Sequence, residues 1–298
     1  MKKMNNLWSQ FKQSNMLNRL IYINMAVFVV VKLVDIVMML AGVQAANPVV
    51  EFLGAYAGWE NLIRHPWGVV TYMFLHQGFL HILFNLLWLF WFGRIFLEYF
   101  MGRQLLNVYI CGGIAGALLY TLAFNIFPAF DATYAMAIGA SAAVYAIVLT
   151  TAVYVPNYTV YLMFLGQVKI KWIAVFSLVS DLAMLDGANA GGHIAHIGGA
   201  LFGILYIVSL RKGTDIAAWV GRIIDSVAGL FSRKPKMKVS YKRTDGGYRR
   251  AESDYDYNTR KHNEQKEIDA ILDKIAKSGY NGLTEEEKRI LFRNSQNN

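Results

Sequence analysis

The stretch GASAAVYAIV, residues 139–148, is a run of small and apolar side chains with one hydroxyl group, Ser141, near its start. This composition is typical of a helix inside a membrane. A serine in such a helix commonly hydrogen-bonds to the carbonyl four residues earlier in the same helix. The role of Ser141 therefore depends on what the rest of the chain places beside it.

The distribution of charge places this run inside a membrane-embedded region. The chain has 298 residues, of which 55% are hydrophobic, and a formal net charge of +9. Residues 20–210 contain six Lys/Arg and seven Asp/Glu, whereas residues 211–298 contain nineteen and thirteen. We predict a membrane core followed by a polar tail. The positive charge of a membrane protein reports which side its loops face, so it does not imply nucleic-acid binding.

Six segments are predicted to be membrane helices, because each approaches the roughly 20 apolar residues that cross a bilayer. They are residues 20–42, 80–99, 104–127, 139–155, 171–186 and 193–210. The fourth and sixth are short, which suits helices that begin below the membrane surface. The first is interpreted as a retained helix because no small-residue cleavage site follows the basic N-terminus. The single cysteine, Cys111, excludes an internal disulfide.

Basic residues predict the orientation and the domain boundaries. Lys and Arg are concentrated in the N-terminal segment, in the connections after the second and fourth helices, and after the sixth helix, whereas the opposite loops contain Arg64. The positive-inside rule then places both termini in the cytoplasm. We predict a cytoplasmic segment at 1–18 and a six-helix membrane domain at 19–212.

The tail is divided into three predicted parts. Residues 213–231 form an interfacial amphipathic helix, because apolar side chains recur on one face. Residues 232–262 are polar and basic with no hydrophobic period, which predicts a disordered linker. Residues 263–298 form a small helical hairpin whose second helix opens with a capping box, Thr284 and Glu287. This hairpin is either a docking module or a folded end.

Three polar residues fall at a similar predicted depth. With the N-terminus inside, the second, fourth and sixth helices all run inward, and their first turns contain His81, Ser141 and His196. Asn85 lies one turn after His81 on the same face. Histidine and asparagine are rare in membrane helices and favour a functional site.

Other histidines receive a different interpretation. His76 and His193 are expected at the rim of the site. A zinc site at His193 and His196 is disfavoured because no carboxylate or thiol accompanies them, so no metal is expected.

Two stripes of small residues predict how the site is assembled. Ala142 and Ala146 form one stripe, and Gly199 and Gly203 form another. Small residues four apart allow close contact between membrane helices. Packing of these stripes would bring Ser141 and His196 towards hydrogen-bond distance.

These motifs together resemble the rhomboid family of intramembrane serine proteases. The residues that carry the resemblance are HILFN (81–85), GAS (139–141) and AHIGGALFG (195–203), the last of which matches the family pattern AHxGGxxxG at every fixed position. The resemblance covers roughly residues 15–212. It implies an all-α membrane protein with a six-transmembrane-helix bundle, here followed by a cytoplasmic helical tail.

The resemblance also implies roles for individual residues. Ser141 would be the nucleophile and His196 the general base, forming a dyad without an acid or a cofactor. The Ser141 N–H and the side chains of His81 and Asn85 would stabilise the oxyanion. Tyr145 would pack against the histidine, with support from three glycines: Gly139, Gly199 and Gly203. Two carboxylates, Asp181 and Asp186, are discounted because they would require the fifth helix to fold back.

Two positions depart from the family pattern. Ala142 replaces the usual glycine after the serine, and Trp67-Gly68 stands where the family has Trp-Arg. The Ala142 change favours an alternative, a catalytically inactive relative that binds membrane proteins. A small transporter is disfavoured because no polar ladder continues inward and no inverted repeat is visible.

The expected partners are transmembrane protein substrates and the lipid bilayer, with no nucleic acid. The expected location is a bacterial cytoplasmic membrane. Neither the substrate nor the oligomeric state follows from these residues.

Overall fold

The computed structural model of the chain describes residues 9–162, 166–187, 189–231, 266–275, 279 and 282–295. Contacts divide the chain into two units, residues 1–234 and 235–298. The long helices of the first unit are α1 (Met16–Leu40), α2 (Phe79–Tyr99), α3 (Gly102–Ile126), α4 (Ser141–Tyr154), α5 (Ile170–Ala183), α6 (Ala190–Arg211) and α7 (Ala218–Phe231).

The long helices confirm an all-α membrane bundle. Among the described residues, α1, α2, α3 and α6 are long and apolar enough to cross a membrane. α4 and α5 have 14 residues each, fewer than the roughly 20 that span the hydrocarbon. The expectation of a short sixth helix was wrong, because α6 begins at Ala190 and has 22 residues. The chain is a multi-pass membrane protein; six crossings stay a prediction.

Short elements connect these helices. Between α1 and α2 lie the helices Pro48–Leu53, Trp59–Arg64 and Gly68–Thr71, the 3-10 helix Tyr72–Phe74, and strand β1 (Ala55–Tyr56). Strand β2 (Met136–Ala137) pairs antiparallel with β1. Strands β3 (Thr159–Leu162) and β4 (Gly166–Lys169) pair antiparallel between α4 and α5. The β1–β2 pair ties the segment before α2 to the residues that lead into Ser141.

Helix α4 lies at the centre of the bundle, with ten of its fourteen residues buried. Its contact with α6 is made at glycines. A Cβ atom added to Gly199 would lie 2.0 Å from the carbonyl oxygen of Ala142, and one added to Gly203 would lie 2.4 Å from that of Ala146. The predicted packing of the two small-residue stripes is therefore confirmed, and it places backbone against backbone.

Helix α3 packs on another side of α4 in the same way. A Cβ atom at Gly116 would lie 2.5 Å from the Ala142 Cβ, and one at Gly112 would lie 2.2 Å from the Ala146 Cβ. Each alanine of the α4 stripe thus faces glycines from two helices. The close contact depends on the absence of side chains at those glycines.

Helix α7 forms within the predicted amphipathic segment. Trp219, Ile223, Ile224 and Val227 are exposed, and Asp225 forms an ion pair with Arg103 near the start of α3. An interfacial position for this exposed apolar face stays a prediction.

Within the described part of the second unit lie two helical segments, residues 266–275 and α8 (Glu285–Ser295). The Thr284 N–H donates to Glu287 Oε2 at 2.7 Å, and the Glu287 N–H donates to Thr284 Oγ1 at 3.3 Å, so the predicted capping box is present. Lys274 Nζ also bonds to Glu287 Oε1 at 2.9 Å. The predicted linker, residues 232–262, lies outside the described residues.

The α4–α6 contact predicts opposite effects for the same substitution at two helical glycines. Gly199→Ala forces a methyl group into the Ala142 carbonyl, and overpacking costs about 1–3 kcal/mol. Gly229→Ala, on α7, places its added Cβ more than 4 Å from the described atoms beyond its two chain neighbours and the local helix backbone, and it gains helix propensity. Thermal unfolding in detergent should show a lower Tm for Gly199→Ala and an equal or higher Tm for Gly229→Ala. A Gly199→Ala protein as stable as the native chain would contradict the close packing.

Candidate active site

Gly139 brings His81 and Ser141 together at the start of α4. Its φ of +123° is a conformation that favours glycine. A Cβ atom here would lie 2.8 Å from His81 Nε2 and 3.8 Å from Ser141 Oγ. The Gly139 N–H donates to the Tyr72 carbonyl at 3.0 Å, which fixes this turn. The imidazole and the hydroxyl therefore lie around one point that a side chain at 139 would fill.

His76 supports this turn from behind. Its imidazole is fully buried, its Nε2 accepts a hydrogen bond from the Ala140 N–H at 3.4 Å, and its ring meets His81 edge-on at 5.1 Å between centroids. The prediction that His76 lies at the rim was wrong, because the segment before α2 packs against the residues that lead into α4. Burial, with the neighbouring His81, lowers the pKa of His76 to about 4.

His196 lies in the second turn of α6 with its ring stacked on Tyr145. The ring centroids are 4.5 Å apart and the planes differ by 15°. Ser141 and His196 line the same cavity, although within the described residues the Ser141 hydroxyl makes no direct hydrogen bond. In enzymes of known mechanism, hydrogen bonds between catalytic groups are often long without substrate and shorten when substrate binds.

Asp181 lies against His196, which corrects the expectation that no carboxylate is near. Its Oδ1 is 2.9 Å from His196 Nδ1 and 2.7 Å from His193 Nδ1. No folding back of α5 is needed. The end of α5 and the start of α6 are joined by the short connection 184–189, so Asp181 reaches the depth of the histidines. Asp186, by contrast, is exposed.

The inward position of Asp181 could have been predicted from the spacing of residues along α5. The buried residues of α5 are Ile170, Ala174, Ser177 and Asp181. Their spacing of four, three and four residues defines one helix face, and the carboxylate is on that bundle-facing stripe. His193 is likewise no simple rim residue, because its side chain is 15% exposed and binds Asp181.

The same three side chains could hold a metal ion. Ligand atoms of Asp181, His193 and His196 lie within 4.8 Å of one another. The expectation that no carboxylate accompanies these histidines was therefore wrong. The N–O distances of 2.7 and 2.9 Å are those of hydrogen bonds.

Several hydrogen-bond donors converge on the same cavity. Ser141 is the first residue of α4, so its N–H has no acceptor within that helix. Asn85 is 7% exposed, and its Nδ2 donates to the His81 carbonyl at 2.8 Å. A primary amide has two hydrogens, which leaves one for a ligand. His81 presents its ring nitrogen over Gly139.

The cavity extends from these groups along α2 and α5 and has a volume of about 1040 Å³. One end of the cavity is lined by Ser141, His196, His81 and Asn85. The remainder is lined by large apolar and aromatic side chains, among them Trp88, Trp91, Trp172 and Phe176. An apolar cleft with convergent polar groups at one end is the usual form of a binding site.

A family model described as the Rhomboid domain matches residues 64–213, half of the chain. The chain belongs to the rhomboid family. Over 156 residues it is 28% identical to RHOMBOID-like protein 12, mitochondrial, of Arabidopsis thaliana, with 49% of this chain and 46% of that protein covered. The chain thus spans about half the length of this curated relative. A second model, described as a family of unknown function (DUF6576), matches residues 252–297.

The structure accommodates both departures from the rhomboid pattern. The Ala142 methyl group faces Gly116 of α3, where an added Cβ would come within 2.5 Å of it. Gly68 is buried, and a Cβ there would lie 2.2 Å from the Gly54 carbonyl oxygen. The present packing thus leaves no space for an arginine at 68, and it holds the alanine after Ser141 without distorting α4.

The buried His76 predicts a pH dependence of stability. Because its pKa is lowered to about 4 in the folded chain, unfolding takes up a proton below the unfolded pKa of about 6.5. The stabilisation is present above that pH and is lost as the pH falls towards 4. As the pH is lowered from about 6.5 to about 4, the Tm in detergent should therefore fall less steeply for His76→Gln than for the native chain. Equal slopes would contradict this account.

Proposed function

We propose that this rhomboid protein is an intramembrane serine endopeptidase that hydrolyses peptide bonds in or near transmembrane segments of other proteins. One observation carries the proposal: a hydroxyl, an imidazole backed by a carboxylate, and a set of oxyanion donors meet at the same ends of three helices, in one cavity. Ordinary helix packing requires the small residues but not these polar groups.

Ser141 would act as nucleophile and His196 as general base. As Ser141 Oγ bonds to the carbonyl carbon, its proton moves to His196 Nε2 and the carbonyl electron pair moves onto oxygen. When the C–N bond breaks, that proton passes to the leaving amine. Water then repeats the sequence on the acyl-enzyme and releases the acid and Ser141.

The oxyanion would be held by the Ser141 N–H and the side chains of His81 and Asn85. Ser141 and His81 lie in the first turns of α4 and α2, where the helix dipole also favours negative charge, and Asn85 lies one turn further along α2. Because these donors are fixed before the reaction, they stabilise the charge without reorganisation.

The substrate would be a membrane-spanning segment that unwinds locally between α2 and α5. The cavity runs along both helices, and its aromatic lining suits apolar side chains. A peptide in an extended form exposes backbone groups that are costly in lipid, so cleavage needs a protein-lined cleft. The Lys/Arg distribution supports cytoplasmic termini and a site near the outer face. A bacterial cytoplasmic membrane stays a prediction.

The alternative is a rhomboid protein that binds membrane proteins without cutting them. Its support was the alanine that follows Ser141. The contact of Ala142 with Gly116 weakens that support, because the added methyl group is matched by an absent one on the neighbouring helix.

Labelling with a fluorophosphonate tests for an activated serine. The detergent-purified chain should be labelled, whereas Ser141→Ala should lose the acceptor and His196→Ala the base. Ser226→Ala, which removes an exposed hydroxyl on α7 bonded to the Arg222 carbonyl, should be labelled like the native chain. A folded native chain that neither reacts nor cleaves transmembrane substrates would favour the inactive alternative.

Removal of an oxyanion donor should slow cleavage without weakening substrate binding. His81→Ala and Asn85→Ala should each lower kcat by about 10²–10³-fold with little change in KM. Leu83→Ala is the matched control, since Leu83 is on α2 but exposed on its outer side. Steady-state cleavage of a transmembrane peptide gives both constants. An unchanged kcat in both donor variants would remove them from the oxyanion site.

A further inference from the structure

We propose that Asp181 is a positioning residue for His196, so that this protein uses a Ser141–His196–Asp181 arrangement in place of the dyad that its family resemblance implies. This inference rests on the proposed function. Its physical basis is the 2.9 Å hydrogen bond between Asp181 Oδ1 and His196 Nδ1, made near the C-terminal end of α5, where the Asp181 side chain is buried.

This hydrogen bond favours one tautomer of the neutral His196 ring, the one whose proton is on Nδ1. A carboxylate accepts hydrogen bonds and donates none when ionised, so Nδ1 of His196 must carry a proton. In the neutral ring the lone pair is then on Nε2. That nitrogen is the one required to take the proton of Ser141.

Two further contacts hold the histidine and the carboxylate in place. Tyr145 stacks on the His196 ring, which limits rotation out of its plane. His193 Nδ1 binds the same Asp181 oxygen at 2.7 Å, which anchors the carboxylate from a second direction. The side chain of Asp181 is 5% exposed, compared with 15% for each histidine. Water therefore competes poorly for this bond.

Asp181 also interacts with the Tyr145 hydroxyl, and its second carboxylate oxygen, Oδ2, is buried. When His196 takes the serine proton and becomes an imidazolium, the fixed carboxylate stabilises its charge and keeps its own charge throughout.

A structural metal is the rival explanation of the same cluster. A tetrahedral zinc ion with ligands at about 2.0–2.1 Å would hold the ligand atoms roughly 3.3 Å apart. The observed N–O distances of 2.7 and 2.9 Å are shorter and are those of direct hydrogen bonds. The geometry thus favours the hydrogen-bonded arrangement.

The first test compares two aspartates from the same end of α5. Asp181→Asn keeps the shape but removes the charge and supplies a donor that favours the wrong tautomer. We expect kcat for a transmembrane peptide to fall about 10²-fold or more with KM little changed. Asp186→Asn makes the same chemical change at an exposed position and should match the native chain. A native kcat in folded Asp181→Asn would overturn the proposal.

The second test is made on the native chain and does not require proteolysis. Nitrogen-15 NMR of histidine-labelled native chain, assigned with His196→Gln, reports which ring nitrogen carries the proton. The proposal requires a proton on His196 Nδ1; a neutral ring protonated on Nε2 would overturn it. If the native chain shows the Nδ1 proton but neither labels nor cleaves, the proposed function fails while the Asp181 contact stands.

Treatment with a chelator distinguishes a metal site from direct hydrogen bonding between Asp181 and the histidines. Native activity that survives chelation and does not require added Zn²⁺ supports the hydrogen-bonded arrangement. Activity lost on chelation and restored by Zn²⁺, but not in Asp181→Asn, would replace it by a metal site.

Discussion

The backbone contact between α4 and α6 sets the positions of Ser141 and His196 relative to each other, and the other groups of the site lie around that pair. Gly199 and Gly203 allow the carbonyls of Ala142 and Ala146 to approach as close as two helices can. In lipid the hydrophobic effect does not drive helices together, so such packing depends on dispersion contacts and on small residues. Because Ser141 begins α4 and His196 lies in the first turns of α6, this one contact sets their separation. A wider contact would separate Ser141 from His196.

Polar contacts complete the positioning that packing begins. The turn at Gly139 places His81 beside Ser141, and buried His76 supports that turn through the Ala140 N–H. On the other side, Tyr145 and Asp181 fix the plane and the orientation of His196. The serine side is thus organised by backbone conformation, while the histidine side is organised by side chains from α4 and α5. Each buried polar group is costly in this environment, which is a physical reason to connect them with function.

Much of this arrangement could be predicted from the sequence. Helical periodicity and length predicted a helix at each of α1 to α6, of which α1, α2, α3 and α6 are long and apolar enough to cross a membrane. The stripes at Ala142 and Gly199 indicated which pair makes close contact. The roles of His76 and Asp181 were missed for a different reason. Both depend on how a connecting segment returns to the bundle, and hydrophobic patterning carries little information about that path. The spacing of the buried residues of α5 could have placed Asp181 on the inner face of that helix. That His196 and His193 are its hydrogen-bond partners depends on how α4, α5 and α6 pack together.

The most direct test of this account is an experimental structure of the chain after reaction with a fluorophosphonate. We predict a phosphonyl group on Ser141 Oγ, with its oxygen directed to the Ser141 N–H, His81 and Asn85. His196 should remain between the phosphonyl group and Asp181, with the α4–α6 distance unchanged. An unmodified Ser141, or a His196 ring turned away from both Ser141 and Asp181, would contradict the claim that the contact between these helices assembles a catalytic site.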